Sequence, residues 1–175
     1  MNVSPVQFRS GNLLNIVLQA LSYSGLEPHR LELEITEAVL LDSGSDASAT
    51  IDRLRQLGVG LAMDDFGTGY SSLSYLLSYP FTKIKIDKSF VLSLESGGNS
   101  EAVISAVVGL GNSLGLTVTA EGIENETVWN YLRAAGCRQG QGFYFGRAMP
   151  AEELIVRPHS AKRQADASSS LRKSR

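Results

Sequence analysis

The sequence predicts an α/β fold in which β/α units surround a parallel sheet. Short apolar runs rich in β-branched residues alternate along the chain with segments whose apolar residues recur at helical spacing. Glycine follows several of the helical segments, where a left-handed cap conformation suits it. A polar or ionisable side chain stands at or next to the end of each apolar run. Alternation of this kind is typical of parallel strands joined by crossover helices.

The predicted elements follow from these patterns in chain order. A strand ends at residues 2–3, and further strands cover residues 31–35, 59–63, 83–86, 117–120 and 141–144. Between them, helical spacing is carried by Leu13, Leu14, Ile16, Val17, Leu18 and Leu21, by Ile51, Leu54 and Leu57, and by Val103, Ile104, Val107, Val108 and Leu110. Asn125 is predicted to cap a helix that starts at Glu126. The glycines that follow helical segments are Gly25, Gly58, Gly115 and Gly136.

The composition is that of a globular domain. The chain has 175 residues, of which 43% are hydrophobic, and this is enough for one compact core. No stretch approaches the ~20 apolar residues that a membrane span needs, and the opening residues lack the pattern of a secretory signal. We therefore predict a cytoplasmic location. Cys137 is the only cysteine, which excludes an internal disulfide, and we interpret it as a small buried residue.

The charges divide the chain into two parts. Residues 157–175 contain six basic residues and one acidic residue, whereas the whole chain has 16 Lys and Arg against 18 Asp and Glu. We predict a folded domain at residues 1–156 and a basic, disordered tail at residues 157–175, which is poor in large apolar side chains. A binding arm is the alternative for the tail. The acidic body argues against DNA binding and is compatible with carboxylates gathered around cations.

Polar side chains recur at the predicted carboxyl ends of the strands. The most informative are Asp64 and Asp65, which follow the apolar run 59–63 and precede a glycine-bearing turn. Adjacent ionised carboxylates repel each other unless protons, hydrogen bonds or cations relieve them, so the pair indicates a divalent metal. Any single acid here could instead cap the next helix. Ligands bind at this edge of parallel sheets and barrels, and the polar residues along it are Asn2, Glu34, Asp64, Asp65, Lys85, Asp87, Glu121, Glu124 and Gln141.

Six segments also follow the order and spacing of a known family through about residue 155. They are residues 2–8, 33–37 with the sequence LEITE, 64–73, 85–87 with KID, 120–124 with AEGIE, and 141–146 with QGFYFG. With these segments the chain resembles the EAL family of bacterial phosphodiesterases that act on cyclic di-GMP. The resemblance implies a (β/α)8 barrel of the TIM type, here incomplete, with about six of the eight β/α units present.

The resemblance also implies a two-metal site that binds Mg2+ or Mn2+. Asn2, Glu34 and Asp64 would be ligands of one ion, and Asp64 would bridge to a second ion bound by Asp65 and Glu121. Oxygen ligands of this kind suit both metals. The implied reaction is hydrolysis of cyclic di-GMP to linear pGpG, in which two neighbouring ions clamp the attacking and leaving oxygens.

Lys85 would hold the nucleophilic water or neutralise charge on the phosphoryl group. A structural salt bridge from Lys85 to Asp87 or Glu121 is the alternative. The resemblance implies that Asp87 and Glu124 orient Lys85 and the metal ligands, and that Gln141 contacts the phosphate or the metal-bound water.

Glu37 resembles a glutamate that anchors the loop at residues 66–73, which begins Phe66-Gly67-Thr68-Gly69 and could position Asp65. An acid placed to suit the helix dipole is the alternative for Glu37. The glycine pattern of the loop does not indicate a phosphate-binding loop, because the lysine of such loops is missing.

The chain departs from the family pattern in its upstream part. The Glu-Ala-Leu tripeptide, whose glutamate is another metal ligand in the family, does not occur, and the arginine that follows it is also absent. We therefore expect a fragment, truncated at the N-terminus, with weak or no hydrolysis by itself. A non-catalytic module that binds cyclic di-GMP or a protein is the alternative function. A homodimer or an upstream regulatory domain is a further expectation from the family.

Overall fold

The computed structural model describes residues 1–41, 46–68, 72–94 and 99–154. The chain separates into two compact units, Met1–Phe145 and Gly146–Arg175. In the second unit the described residues include one helix, Ala151–Leu154. The predicted tail at residues 157–175 lies outside the described residues, so the predicted domain boundary stays a prediction.

The first unit is built on a parallel sheet. Its strands lie side by side in chain order and are β1 (Glu32–Thr36), β2 (Gly60–Phe66), β3 (Lys83–Ile86), β4 (Thr117–Ala120) and β5 (Gln139–Gly140). Asn2 forms a parallel bridge to Glu34 on the outer side of β1. The Val3 N–H donates to Glu34 O at 3.0 Å, and the Glu34 N–H donates to Met1 O at 2.8 Å. Neighbouring parallel strands in chain order confirm the predicted α/β fold.

The helices cover one face of this sheet. Those of the first unit within the described residues are α1 (Pro5–Arg9), α2 (Leu13–Ser24), α3 (Glu37–Leu41), α4 (Asp46–Gln56), α5 (Ser72–Ser78), α6 (Lys88–Leu92), α7 (Ser100–Ser113) and α8 (Glu126–Ala134). The Asn125 side chain accepts a hydrogen bond from the Val128 N–H at 2.9 Å, which confirms the predicted cap of α8. None of the helices in the described ranges is long and apolar enough to cross a bilayer.

Alternation along the strands separates an apolar face from a polar one. On β1, Leu33 and Ile35 are fully buried in the core, and Glu32 and Glu34 point to the opposite face. On β3, Ile84 and Ile86 are likewise fully buried, whereas Lys83 and Lys85 lie on the polar face. The core therefore forms between the sheet and the helices, and ionisable side chains gather on the other face of the sheet.

The predicted position of the last strand was wrong. Residues 141–144 were predicted, but β5 is Gln139–Gly140. The Gln141 N–H still donates to Ala120 O at 2.8 Å, and then the chain turns, with the Phe145 N–H donating to Gly142 O at 3.1 Å. Phe143 and Tyr144 therefore lie in a turn and not in the predicted strand.

Cys137 is buried, as predicted, with 4% of its surface exposed. Its Sγ lies 3.2 Å from Gln139 O and 3.4 Å from Val118 O. Burial raises the pKa of the thiol, so Cys137 is a packing residue that stays protonated.

Gly111 lies where α7 packs directly on Val118 of β4. A Cβ at this position would overlap Val118 Cγ2 on β4, whereas a Cβ at Gly109, two residues earlier on the same helix, would meet no atom within 4 Å. Val118 is 2% exposed and β-branched, so it has little freedom to move away.

We expect Gly111→Ala to lower the free energy of unfolding by about 1–3 kcal/mol, because the added methyl group overpacks the contact between α7 and β4. The matched control is Gly109→Ala on the exposed side of α7, where alanine gains up to about 1 kcal/mol of helix propensity. Chemical denaturation of both variants measures the difference. Equal stabilisation by the two substitutions would contradict the proposed close contact.

Candidate functional site

The polar residues at the strand ends meet around the ammonium group of Lys85. Its Nζ lies 2.9 Å from Glu34 Oε2, 3.0 Å from Asp64 Oδ1 and 2.6 Å from Glu121 Oε1. These carboxylates come from β1, from β2 and from the residue that follows β4. Lys85 itself is only 4% exposed. Four segments that are far apart in sequence therefore place one cation among three anions.

This arrangement keeps Lys85 charged. Burial by itself would lower the pKa of the ammonium, but hydrogen bonds to Glu121, Glu34 and Asp64 outweigh it and hold the pKa above the ordinary value for lysine. An ammonium group has three protons to donate, and here each one has a carboxylate acceptor. The sequence offered Asp87 and Glu121 as salt-bridge partners of Lys85, and the structure shows the salt bridge to Glu121.

Asn2 joins the cluster through its amide group. One terminal atom of the amide lies 3.0 Å from Glu34 Oε2 and 3.3 Å from Asp64 Oδ2, and as nitrogen it donates to both. With the amide turned the other way, its oxygen would stand with two carboxylate oxygens, a combination that needs a cation between them. The parallel bridge between Asn2 and Glu34 fixes this proximity.

The donor set therefore fits a hard divalent cation. Amide and carboxylate oxygens are the ligands that Mg2+ and Mn2+ prefer, and the structure brings together Asn2, Glu34, Asp64 and Glu121. Within the described ranges, however, no group of three or more His, Cys, Asp or Glu side chains is already arranged around a common metal position. The carboxylates converge on the lysine.

Asp65 lies at an irregular point of the backbone. Its φ of +54° is in the left-handed region, and the register between β2 and β3 shifts between Met63 and Phe66. The Asp65 N–H donates to Asp64 Oδ1 at 3.1 Å, and the Thr68 hydroxyl donates to Asp65 O at 2.8 Å. A non-glycine residue in this conformation costs about 1–3 kcal/mol, a strain that is concentrated at functional sites.

Burial, followed by the charges of Asp64 and Asp87, raises the pKa of Asp65. Lys85 and Lys88 act in the opposite direction but do not cancel this effect. Asp65 therefore belongs electrostatically to the cluster, although its side chain is exposed and makes no ion pair to Lys85 comparable to that of Asp64.

The remaining predicted residues lie on four other segments, and of these Gln141 shares a cavity with Lys85. The Asp87 carboxylate caps α6 and accepts from the Ser89 N–H at 2.9 Å and from the Ser89 hydroxyl. Gln141 lines the same cavity as Lys85, and Glu124 is exposed on the segment after β4. Glu37 is 9% exposed at the start of α3.

The loop after β2 is described only in part. Phe66 is buried at the end of β2, and the ring of Phe90 packs against Gly67, whose φ is +97°. Thr68 contacts Asp65 as described above, and Gly69 lies outside the described residues. Whether Glu37 anchors this loop stays a prediction.

A second ion pair, which was not predicted from the sequence, lies beneath the site. Lys83 Nζ is 2.8 Å from Glu32 Oε1, and both residues line a cavity of about 370 Å3 together with Glu34, Lys85, Thr119, Gln139, Gly140 and Gln141. Thr119 donates to Gln139 Oε1 at 3.1 Å in the same cavity. The alternating sequences Glu-Leu-Glu on β1 and Lys-Ile-Lys on β3 could have indicated that Glu32 and Lys83 share a face of the sheet with Glu34 and Lys85.

Comparison with known proteins gives the same family in sequence and in structure. A family model described as EAL domain matches residues 1–148. The bifunctional diguanylate cyclase/cyclic di-GMP phosphodiesterase MucR of Pseudomonas aeruginosa is 41% identical over 156 residues, which are 89% of this chain and 22% of MucR. This chain spans about a fifth of the length of the curated relatives it matches.

Two solved structures illustrate the structural similarity. The PaMucR phosphodiesterase in complex with c-di-GMP has a TM-score of 0.83 at 42% identity, with 87% of this chain and 62% of that chain covered. BlrP1 of Klebsiella pneumoniae in a manganese/cyclic di-GMP complex has a TM-score of 0.74 at 34% identity, with 81% and 36% covered. These neighbours have TIM-barrel-like folds, so the sheet described above is an incomplete barrel, as predicted.

We expect Asp87→Asn to lower the pKa of Asp65 in the metal-free chain, because the substitution removes a negative charge that raises it. Asparagine can still cap α6, so the local fold is retained. Carboxyl carbon NMR shifts followed during a pH titration with chelator measure the effect. Asp52→Asn on the exposed face of α4 is the control, and an unchanged Asp65 pKa in Asp87→Asn would contradict the predicted coupling.

Proposed function

The chain belongs to the EAL domain family, and from this premise we propose that it forms part of a metal-dependent phosphodiesterase domain that hydrolyses cyclic di-GMP to linear pGpG. The observation that carries the proposal is the convergence of Glu34, Asp64 and Glu121 on Lys85 at distances of 2.6–3.0 Å. Hard oxygen ligands that hold metal ions, and a buried cation, are groups that stabilise the charge that develops in phosphoryl transfer.

The metal ligands are proposed to be Asn2, Glu34 and Asp64 for one ion, and Asp64, Asp65 and Glu121 for the other. The manganese/cyclic di-GMP complex of the BlrP1 neighbour supports a divalent ion in this role. Two such ions, Mg2+ or Mn2+, would supply a more acidic water and neutralise charge on the phosphoryl oxygens. Lys85, which is almost closed to solvent, would contribute a positive charge beside the same phosphoryl oxygens.

The overall reaction consumes one water molecule. Its oxygen forms a bond to one of the two phosphorus atoms of the ring, the bond from that phosphorus to the 3′ oxygen breaks, and the 3′ oxygen receives a proton. Gln141 lines the same cavity as Lys85 and is proposed to contact the phosphate or the metal-bound water. Asp87, Glu124 and Glu37, with the loop at Phe66, are proposed to orient the groups that touch the substrate.

A non-catalytic module that binds cyclic di-GMP or a protein is the second candidate. The observation in its favour is that the three carboxylates already have Lys85 as their cation. Such a module would bind the dinucleotide without turnover. The predictions of a cytoplasmic location, a homodimer and an upstream regulatory domain remain predictions.

The proposal is tested with the 175-residue chain, cyclic di-GMP and Mn2+, by measuring product formation and equilibrium binding in parallel. Where the unmodified chain forms pGpG, we expect Glu121→Gln to reduce the rate by at least about 100-fold, the order of loss when one charge-stabilising group is removed from an active site. Chromatography of the nucleotides measures the rate.

Glu126→Gln is the matched control, because Glu126 is an exposed glutamate five residues further along the chain, at the start of α8. It should hydrolyse at the rate of the unmodified chain. Turnover retained in Glu121→Gln would contradict the assigned ligand, and binding without product in the unmodified chain would favour the second candidate.

A further inference from the structure

The carboxylate oxygens that contact Lys85 belong to three of the proposed metal ligands. We propose that the ammonium group of Lys85 is an internal cation that holds these carboxylates together in the metal-free chain and must release them when a divalent ion binds. Lys85 and the ion would then compete for the same site. This inference rests on the proposed function, because it takes the proposed ligands as given.

The hydrogen bonds of Asp64 and Glu34 carry the first step of the argument. Asp64 Oδ1 accepts from Lys85 at 3.0 Å and from the Asp65 N–H at 3.1 Å, and Asp64 Oδ2 faces the Asn2 amide at 3.3 Å. Glu34 Oε2 is shared between Lys85 at 2.9 Å and Asn2 at 3.0 Å. Asp64 Oδ1 and Glu34 Oε2 each accept from two donors, which use both of their lone-pair sites, so an ion that coordinates either oxygen displaces one of those donors.

Charge repulsion makes Lys85 the donor that an incoming ion displaces. Three carboxylates and one ammonium leave an excess of negative charge, which attracts a divalent cation. Once such a cation stands among the same oxygens, however, it repels the ammonium, and at these separations the repulsion is strong because the site is largely buried. Asn2 can stay in the site, because turning its amide ends its two donor contacts and presents its oxygen to the ion as a ligand. The ammonium has no such alternative.

The metal-free state depends on the same contact. Without Lys85, three carboxylates would face one another in a partly buried space with no cation between them, a situation that strongly destabilises folded proteins. Lys85 therefore stabilises the empty site and at the same time weakens the binding of the ion that replaces it. Release of the ammonium also leaves it free to contact a phosphate oxygen of the substrate.

Lys83 provides a matched comparison on the same strand. It lies two residues from Lys85 on the same polar face of β3, and its Nζ pairs with Glu32 at 2.8 Å. Both lysines reach across β2 to the next strand, Lys83 to Glu32 and Lys85 to Glu34. The partner of Lys83, however, is not a proposed metal ligand.

The test compares Lys85→Met with Lys83→Met in the 175-residue chain. Mn2+ affinity is measured by electron paramagnetic resonance of the free ion, and thermal unfolding is recorded with chelator and with Mn2+. We expect Lys85→Met to bind Mn2+ at least about 10-fold more tightly than the unmodified chain, because the binding-competent state no longer requires release of the ammonium. Lys85→Met should also melt at a lower temperature with chelator and gain more from Mn2+. Lys83→Met should match the unmodified chain in Mn2+ affinity.

A second measurement covers the case in which Lys85→Met does not fold without metal. In the unmodified chain, 15N NMR of the lysine side chains should show the ammonium resonance of Lys85 shifting or broadening on addition of Mg2+, while that of Lys83 stays in place. An unchanged Lys85 resonance under saturating Mg2+ would overturn the proposal. Equal or weaker Mn2+ affinity in Lys85→Met would overturn it as well.

The two proposals fail in different ways. Tighter Mn2+ binding by Lys85→Met, together with binding but no hydrolysis of cyclic di-GMP by the unmodified chain, would support competition and favour the non-catalytic module over the phosphodiesterase. Hydrolysis by the unmodified chain with no gain of Mn2+ affinity in Lys85→Met would support the enzyme and overturn competition. Absence of Mn2+ binding in every variant would overturn both.

Discussion

The contact of Lys85 with Glu34, Asp64 and Glu121 determines how the strand ends of this domain fit together. A buried ammonium group without partners is costly, and each partner here comes from a different segment of the chain. The contact is possible because β3 alternates Lys83, Ile84, Lys85 and Ile86, with the isoleucines in the core and the lysines on the polar face. One alternating pattern thus supplies both the core and the charge of the site.

The sequence was sufficient to predict most of the fold and the position of Glu34, Asp64, Lys85 and Glu121 at one edge of the sheet. Apolar and polar residues alternate around Glu34 and Lys85, and a short apolar run precedes Asp64, so these strands could be located within a few residues. Because parallel strands end at a common edge, the residues at their ends could be assigned to one site before their distances were known. The caps at Gly25 and Asn125 followed from local chemistry alone.

Other features depend on contacts across strands and could not be predicted in this way. The pairing of Lys83 with Glu32 reaches across β2, so it depends on the register of three strands and leaves only a weak alternation in the sequence. Phe143 and Tyr144 were predicted to lie in a strand, yet they are 59% and 40% exposed and lie in a turn. Apolar character alone does not distinguish a buried strand from an exposed aromatic turn.

The two-residue length of β5 limits how another polypeptide could extend the sheet at this edge. Strand addition and amyloid-like stacking need a row of free backbone N–H and C=O groups. Gln139 and Gly140 offer few of them, and the backbone groups of Gln141 are already used by Ala120 and Ile123. Self-association at this edge would therefore depend on aromatic side chains such as Phe143 and not on backbone pairing. Association of this kind would be sensitive to detergent and to temperature, and it would not propagate by strand addition.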